Sequence, residues 1–149
     1  MNIIDKIKNI VAIRRFPNSE DANGQNGAKK RIGRAGEKAA ARYLSDRGFL
    51  ILAKNFSCRH GELDIVARKR DLIVFTEVKT RSSEDYGGAE ESVGPQKQEK
   101  IRKTASYFVK TNKLPEDKLL FRYDVFAVYV NERGRVTRVE HFPEAFGSL

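Results

Sequence analysis

The chain has 149 residues, 40% of them hydrophobic, and its 29 Lys and Arg against 20 Asp and Glu leave a formal net charge of +9. This length fits one domain and excludes two domains of ordinary size. The basic surplus predicts nucleic acid as a partner, because phosphates attract Lys and Arg through counterion release, with anionic membranes, ribosome-associated roles and mere solubility as alternatives.

The first 32 residues differ from the rest of the chain. Ile3, Ile7 and Ile10 recur at helical spacing beside several basic residues, and a polar stretch follows over residues 16–27. We interpret residues 1–32 as a basic N-terminal arm and flexible linker, and residues 33–149 as the folded domain. The arm is expected to form an amphipathic helix on a membrane or nucleic acid, to dock on a partner protein, or to stay frayed.

The remaining sequence alternates between helical and strand patterns. The order of helix, three strands, helix and two strands predicts an α/β fold, a mixed β-sheet flanked by helices. A long polar segment at 81–94 is expected to be a functional loop. The predicted helices run from Arg34 to Gly48 and onward from Pro95, and the predicted strands cover 49–53, 61–67, 72–79, 119–130 and 134–142, with a turn-like segment at 55–60.

Cysteine, histidine and apolar content exclude several kinds of protein. Cys58 is the single cysteine, so an internal disulfide is excluded, and His60 and His141 are too few for a zinc cluster of Cys and His. No apolar run is long enough to span a bilayer, and the N-terminus lacks the apolar core of a signal peptide. We therefore expect a cytoplasmic protein without integral membrane association.

Two adjacent predicted strands carry charge inside apolar runs, with Asp64 in one and Glu77 in the next. If Arg70 and Asp71 form a two-residue hairpin loop, Asp64 lies directly opposite Glu77. A four-residue loop also leaves both carboxylates on one face, whereas a three-residue loop separates them. Directly opposed carboxylates destabilise strand pairing, so this register predicts a compensating cation.

A hard divalent cation is the compensation that suits two carboxylates. Mg²⁺, with Mn²⁺ as the alternative, accepts one or two protein carboxylates and takes its other oxygens from water and a substrate phosphate. Lys79 shares a face with Glu77 and would orient or deprotonate an attacking water, and Glu37 leans toward the buried side of the first helix. The competing interpretation is a solvated surface ion pair between Glu77 and Lys79.

These residues carry a resemblance to known proteins. The chain contains a pattern that resembles the signature of the PD-(D/E)XK nuclease superfamily, which has the restriction-endonuclease-like fold. The pattern is Asp64, then twelve intervening residues, then Glu77-Val78-Lys79. A wider set of motifs resembles the YraN-like family of small bacterial proteins, and these motifs occupy residues 33–40, 61–67, 74–81, 86–87, 122–125 and 144–146.

The resemblance implies a restriction-endonuclease-like fold and a metal-dependent endonuclease that cleaves DNA. Glu37 matches the helix acid, Asp64 and Glu77 match the metal-binding acids, and Lys79 matches the lysine of the signature. Similarity to Holliday-junction resolvases implies branched or damaged DNA as substrate, and two sites per four-way junction would suit a homodimer. The alternatives are a non-catalytic nucleic-acid-binding protein of a repair or recombination assembly, and an interaction module recruited through the arm.

Further basic residues are candidates for phosphate contacts. Lys97 opens the second helix and resembles a position where relatives carry lysine, and Arg81 follows the E-x-K signature. Arg68, Lys69 and Arg70 form a basic tip on the predicted hairpin. The tip is expected either to bind a backbone phosphate or to be a solvated turn.

Overall fold

The computed structural model describes residues 24–82 and 93–147. The arm before residue 24 and the centre of the predicted loop, including Tyr86, lie outside the described residues. The element order matches the prediction: α1 is Gly24–Asp46, β1 Leu50–Cys58, β2 Gly61–Lys69, β3 Leu72–Ser82, α2 Pro95–Thr111, a 3₁₀ turn Glu116–Lys118, β4 Leu120–Val130 and β5 Val136–Phe146.

The five strands form one mixed sheet in the order β1-β2-β3-β4-β5. The β3–β4 pair is parallel, and the other neighbouring pairs are antiparallel. Helix α2 connects the two parallel strands, which need a crossover rather than a hairpin. The predicted α/β class is therefore confirmed, and the architecture is consistent with a restriction-endonuclease-like fold.

The two helices cover opposite faces of the sheet. On one face, Ala40 and Leu44 of α1 pack with Ile65 and Phe126. On the other face, Ile101 and Phe108 of α2 pack in a separate cluster, whose members on the sheet include Val66, Ile73, Phe75 and Val125. Burial of these two apolar clusters is the main driving force that holds the three layers together.

Helix α1 is longer than predicted, and that prediction of its start was wrong. The helix begins at Gly24 rather than Arg34, so the proposed boundary between residues 32 and 33 falls inside a continuous helix. Its end agrees with the prediction: Gly48 adopts φ 84°, and the N–H of Phe49 donates to the carbonyl of Leu44, as in a Schellman cap. The division into an arm and linker over residues 1–32 and a domain over 33–149 stays a prediction, and residues 1–23 lie outside the described residues.

Three strand boundaries also differ from the sequence interpretation. Strand β1 continues to Cys58, so most of the segment predicted as a turn is strand. Strand β5 starts at Val136 and runs on to Phe146 rather than ending at Phe142. In both cases pairing with a neighbouring strand continues through polar residues that carry little strand signal of their own.

The hairpin between β2 and β3 has the predicted two-residue loop. Lys69 pairs with Leu72 and Ile65 pairs with Thr76, which is the register that leads to Asp64 opposite Glu77. Arg70, the first loop residue, adopts φ 56°. Positive φ at this position is what tight two-residue hairpin loops require.

Candidate active site

The site lies where strands β2 and β3 part. Their backbone pairing ends at Ile65 and Thr76, while β2 stays paired with β1 as far as Gly61 and β3 stays paired with β4 as far as Ser82. The next two positions along the fork are Asp64 and Glu77. The fork therefore separates the two strands just where both carry a carboxylate.

Asp64 occupies the fork itself. Its Oδ2 atom accepts a 2.7 Å hydrogen bond from the backbone N–H of Val78, a donor on the neighbouring strand. The carboxylate thus takes the place of a backbone acceptor at the point where the ladder stops. This bond fixes the orientation of Asp64 relative to β3.

Glu77 is a nearly buried carboxylate that two lysines approach. Its side chain is 8% exposed, and its Oε1 atom lies 3.4 Å from Nζ of Lys79 and 3.4 Å from Nζ of Lys97. Lys79 comes from the same strand, and Lys97 comes from the first turn of α2. The predicted Glu77–Lys79 pair is present, but burial of Glu77 distinguishes it from a solvated surface ion pair.

Glu37 reaches the same region from α1. The helix approaches β3 closely because Gly36 has no side chain: a Cβ at this position would collide with the side chain of Thr80. Glu37 follows directly in the sequence, is half-buried, and forms a hydrogen bond with the side chain of Asn55. The close helix–strand contact at Gly36 thus determines where Glu37 lies.

The charges of the carboxylates influence one another. Burial, and next the negative charge of Glu77, raise the pKa of Asp64 to about 7, although the Val78 N–H and the positive charge of Lys97 act in the opposite direction. Burial is also the main reason that the pKa of Glu37 is raised, with Glu62 and Glu77 adding to the effect. The cluster has more negative charge than its lysines compensate, so it favours a proton or another cation.

The residues predicted as metal ligands suit a hard cation that keeps much of its water. Within residues 24–82 and 93–147, no three His, Cys, Asp or Glu side chains are grouped closely enough to hold a metal ion by themselves. Mg²⁺ requires only one or two protein carboxylates, with water and substrate oxygens completing its coordination. The oxygen donors of Asp64 and Glu77, together with the raised pKa of Asp64, fit this requirement.

The structure brings some of the predicted basic residues to this site and leaves others far away. Lys79 and Lys97 contact Glu77, and the Nε of Arg81, two residues beyond Lys79, is buried and has no hydrogen-bond partner. The hairpin tip lies at the other end of β2, and its nearest residue, Arg68, is four residues from Asp64, or about 13 Å along the strand.

Two of the three tip residues make contacts within the protein. Lys69 donates a 2.7 Å hydrogen bond to the carbonyl of Arg47, near the end of α1, and Arg68 donates to the carbonyl of Arg70. The Lys69 bond connects the tip to the end of α1, and the Arg68 bond lies within the tip. Phosphate binding by Arg68, Lys69 and Arg70 stays a prediction, separate from the acidic cluster.

Sequence reasoning missed two polar neighbours of Glu37. Asn55 forms a hydrogen bond with Glu37, and Glu62 raises its pKa. Asn55 adopts φ 51°, which asparagine tolerates better than most residues, and the available sequence signal was an asparagine at the start of the segment predicted as a turn. Alternation along β2 predicts that Glu62 shares a face with Asp64, two residues further on, but it does not indicate that Glu37 of α1 lies near Glu62.

A second buried polar cluster was not predicted, although Arg122 and Asp124 lie in the motif at residues 122–125. Asp124 is 1% exposed and accepts two 2.8 Å hydrogen bonds from the guanidinium of Arg122. Its Oδ2 lies 2.7 Å from Nε2 of His141, and its Oδ1 accepts the backbone N–H of Glu144. Burial raises the pKa of Asp124, but these hydrogen bonds outweigh burial and lower the pKa overall.

The Asp124 cluster is structural rather than part of the acidic site. His141 stacks on Phe126 with the ring centroids 4.3 Å apart, and Tyr43 of α1 packs edge-on against His141. Asp124 therefore joins β4, β5 and, through this stack, α1. A buried carboxylate with this many donors stabilises the fold only while all its partners are present.

The sequence matches a known protein family. The model of the family described as "Uncharacterised protein family UPF0102" matches residues 36–128, which is more than half of the chain. The matched segment starts at Gly36 and includes Glu37, Asp64, Glu77 and Lys97. The acidic site therefore lies within the part of the chain that is characteristic of the family.

Individual relatives match along nearly their whole length. A UPF0102 protein from Pelotomaculum thermopropionicum is 44% identical over 119 residues, covering 80% of this chain and 98% of the relative. A UPF0102 protein from Parafrankia sp. is 47% identical over 117 residues, covering 78% and 97%, and one from Dictyoglomus turgidum is 40% identical over 117 residues, covering 78% and 98%. About a fifth of this chain lies outside each alignment.

Neither described helix is both long and apolar enough to cross a membrane.

Proposed function

The chain belongs to the UPF0102 family, the YraN-like family of its sequence motifs, and from this premise we propose that it is a Mg²⁺-dependent endonuclease that hydrolyses DNA phosphodiesters. One observation carries the proposal: the strand fork brings Asp64 beside Glu77, with Glu37 near enough to interact with both charges. A fold that only needed stability would gain little from three partly or largely desolvated carboxylates whose negative charges interact.

The residues of the site have distinct proposed roles. Asp64 and Glu77 would hold the metal ion through their carboxylate oxygens, and Mn²⁺ would serve as a substitute. The chemistry supplied by bound Mg²⁺ is polarisation of a phosphoryl oxygen and a lower pKa of a coordinated water. Lys79, whose Nζ lies 3.4 Å from Glu77, would offset the negative charge that develops on phosphorus. Glu37, with its raised pKa, is suited to accept a proton from the attacking water.

A stripe of basic residues on α1 supports nucleic acid as the substrate. Arg31, Arg34, Lys38 and Arg42 are all exposed and follow one another at spacings of three and four residues, which places them along one side of the helix. This basic stripe extends over about 16 Å and passes beside Glu37. Its positive charge matches the phosphate backbone of a nucleic acid, which contributes affinity without base specificity.

The preferred substrate is proposed to be branched or damaged DNA, and a homodimer would place two sites on a four-way junction. The competing proposal is a non-catalytic protein that uses the same surface to hold nucleic acid. An exposed basic stripe serves either function, whereas a shared cluster of carboxylates serves only cleavage.

The test is cleavage of labelled linear, single-stranded, flap and four-way-junction DNA with Mg²⁺ or Mn²⁺. Wild type is compared with Glu77→Gln, which keeps the shape of the side chain and removes its charge, and with Glu116→Gln, an exposed residue of the 3₁₀ turn. We expect cleavage by wild type and Glu116→Gln, and loss of cleavage in Glu77→Gln. DNA binding without cleavage by any of the three would support the non-catalytic protein instead.

A further inference from the structure

Two ammonium groups share one carboxylate oxygen at the centre of the site. Lys79 and Lys97 each place Nζ 3.4 Å from the same Oε1 of Glu77. A divalent cation that binds Glu77 needs an oxygen of this carboxylate, and its charge repels both ammonium groups. Cation binding therefore weakens the pairing of the lysines with Glu77 and favours the departure of one of them.

The two lysines differ in how easily they can leave. Lys79 lies on β3, which is paired with β4 at this position, and its side chain is 32% exposed. Lys97 reaches Glu77 from a different element, the first turn of α2, and its side chain is 44% exposed. Lys97 has the freer path to solvent and a backbone position outside the sheet, so it is the partner that leaves at lower cost.

The surroundings of Lys97 suit an anion. The first turn of α2 contains no acidic residue, and its N-cap, Gly94, supplies no side-chain hydrogen bond. The positive end of the helix dipole therefore adds to the charge of Lys97. A phosphate that approaches the acidic cluster would meet Lys97 close to Glu77.

We propose that Lys97 is an exchangeable counterion of Glu77, which pairs with this carboxylate in the metal-free protein and moves to a backbone phosphate of bound nucleic acid when a divalent cation takes Glu77. This proposal rests on the proposed metal-dependent function. The exchange makes cation binding and phosphate binding cooperative, because the cation releases the lysine that the phosphate needs.

The first test measures Mn²⁺ binding by isothermal titration calorimetry, without nucleic acid, on full-length wild type, Lys97→Gln and Lys100→Gln. Lys100 lies one turn further along α2, is exposed and carries the same charge, whereas the ion pairs of Glu77 within the described residues are those to Lys79 and Lys97. We expect Lys97→Gln to bind Mn²⁺ about two- to fivefold more tightly than wild type, because Lys97 no longer competes with the cation for Glu77. Lys100→Gln should stay close to wild type.

An affinity of Lys97→Gln that is no higher than that of Lys100→Gln would overturn the exchange. If wild type binds Mn²⁺ but Lys97→Gln does not differ, only the exchange fails. If wild type binds no Mn²⁺, the proposed metal dependence fails and the exchange fails with it.

The second test measures affinity for a labelled four-way DNA junction in EDTA and in Ca²⁺ over a range of salt concentrations. In Ca²⁺, the slope of log junction affinity against log salt should be smaller for Lys97→Gln than for wild type by about 1, the loss of one phosphate contact. In EDTA the two proteins should have the same slope. An equal loss of affinity in both conditions would mean that Lys97 contacts phosphate permanently, which contradicts the exchange.

Discussion

The carboxylate of Asp64 accepts the backbone N–H of Val78 at 2.7 Å, at the point where strands β2 and β3 separate. The bond gives a sheet donor its partner and at the same time holds a carboxylate beside Glu77. Because burial and Glu77 raise the pKa of Asp64 to about 7, this arrangement costs stability whenever Asp64 is ionised.

Replacing Asp64 by Asn should therefore change the pH dependence of stability. The raised pKa means that the folded protein holds a proton more tightly than the unfolded chain, so wild type loses stability as pH rises from about 4 to about 7. In EDTA, Asp64→Asn should melt above wild type by about 4 °C or more at pH 8, and the gain should shrink at pH 4.5. Melting curves of Asp117→Asn, an exposed control, should follow wild type. A gain that is the same at both pH values would contradict the raised pKa.

Adding a single methyl group at Gly36 should lower the stability of the protein, because Gly36 lies against Thr80. Gly36→Ala should destabilise the protein by about 1–3 kcal/mol, because the new Cβ would collide with the Thr80 side chain. Gly33→Ala is the matched control on the same helix: its Cβ meets no atom within 4 Å, so it should stabilise by about 0.5–1 kcal/mol.

A double variant separates the collision from other effects of the substitution. Thr80→Ala removes the Oγ1 and Cγ2 atoms that the new Cβ would meet, so Gly36→Ala should cost much less in the Thr80→Ala background. Urea denaturation of the four proteins of this cycle measures the coupling. Equal costs in the two backgrounds would show that the close approach to Thr80 is not what requires glycine.

The Asp124 cluster should contribute more to the free energy of unfolding at neutral pH than a surface ion pair does. Asp124→Asn should lose about 3 kcal/mol at pH 7, since it leaves Arg122 and His141 without their charged partner. The lowered pKa of Asp124 means that its contribution is complete above the ordinary pKa of 3.8 and is lost as pH falls through the folded value. The difference from wild type in urea denaturation should therefore narrow below about pH 4.

The comparison for this prediction is Glu140→Gln, which affects a more exposed ion pair with Arg138 on the same strand. It should cost less than about 1 kcal/mol. A loss in Asp124→Asn no larger than this would mean that the Asp124 cluster contributes no more than a surface pair.

The basic stripe on α1 should appear in the salt dependence of DNA binding. Replacing Arg31 and Lys38 by Gln should reduce the slope of log affinity against log salt by up to about 2, with similar losses for different DNA sequences. Lys110→Gln with Lys118→Gln removes the same charge from exposed positions at and beyond the end of α2. Equal changes in the two double variants would indicate a general effect of net charge instead of contacts by the stripe.

Local pattern was enough to predict most of the fold. The register of the β2–β3 hairpin follows from a two-residue loop, and the apolar stripe of α2 follows from Ile101, Ala105 and Phe108. The start of α1 was missed because Gly24-Gln25-Asn26-Gly27 has the composition of a turn, whereas the observed helix runs through it. The polar end of β1 was missed because its strand conformation depends on pairing with β2.

The site could be predicted only in part, for a related reason. Asp64, Glu77 and Lys79 lie close in sequence, so strand alternation alone brings them together. Asn55 and Glu37 meet across 18 positions of sequence, and Asp124 meets His141 across 17. Such contacts depend on how helices and strands are placed in space, which no local periodicity specifies.

The anchoring of Glu144 by Asp124 affects how the last strand opens. Strand β5 lies at an edge of the sheet, close to the end of the chain, where amide protons usually exchange with solvent through local fraying. Here the N–H of Glu144 is bound to a carboxylate on β4, which is buried between β3 and β5. Detaching the end of β5 breaks the bonds of Asp124 to both Glu144 and His141 and leaves a buried carboxylate with fewer donors, so we expect the end of β5 to open together with the middle of the sheet.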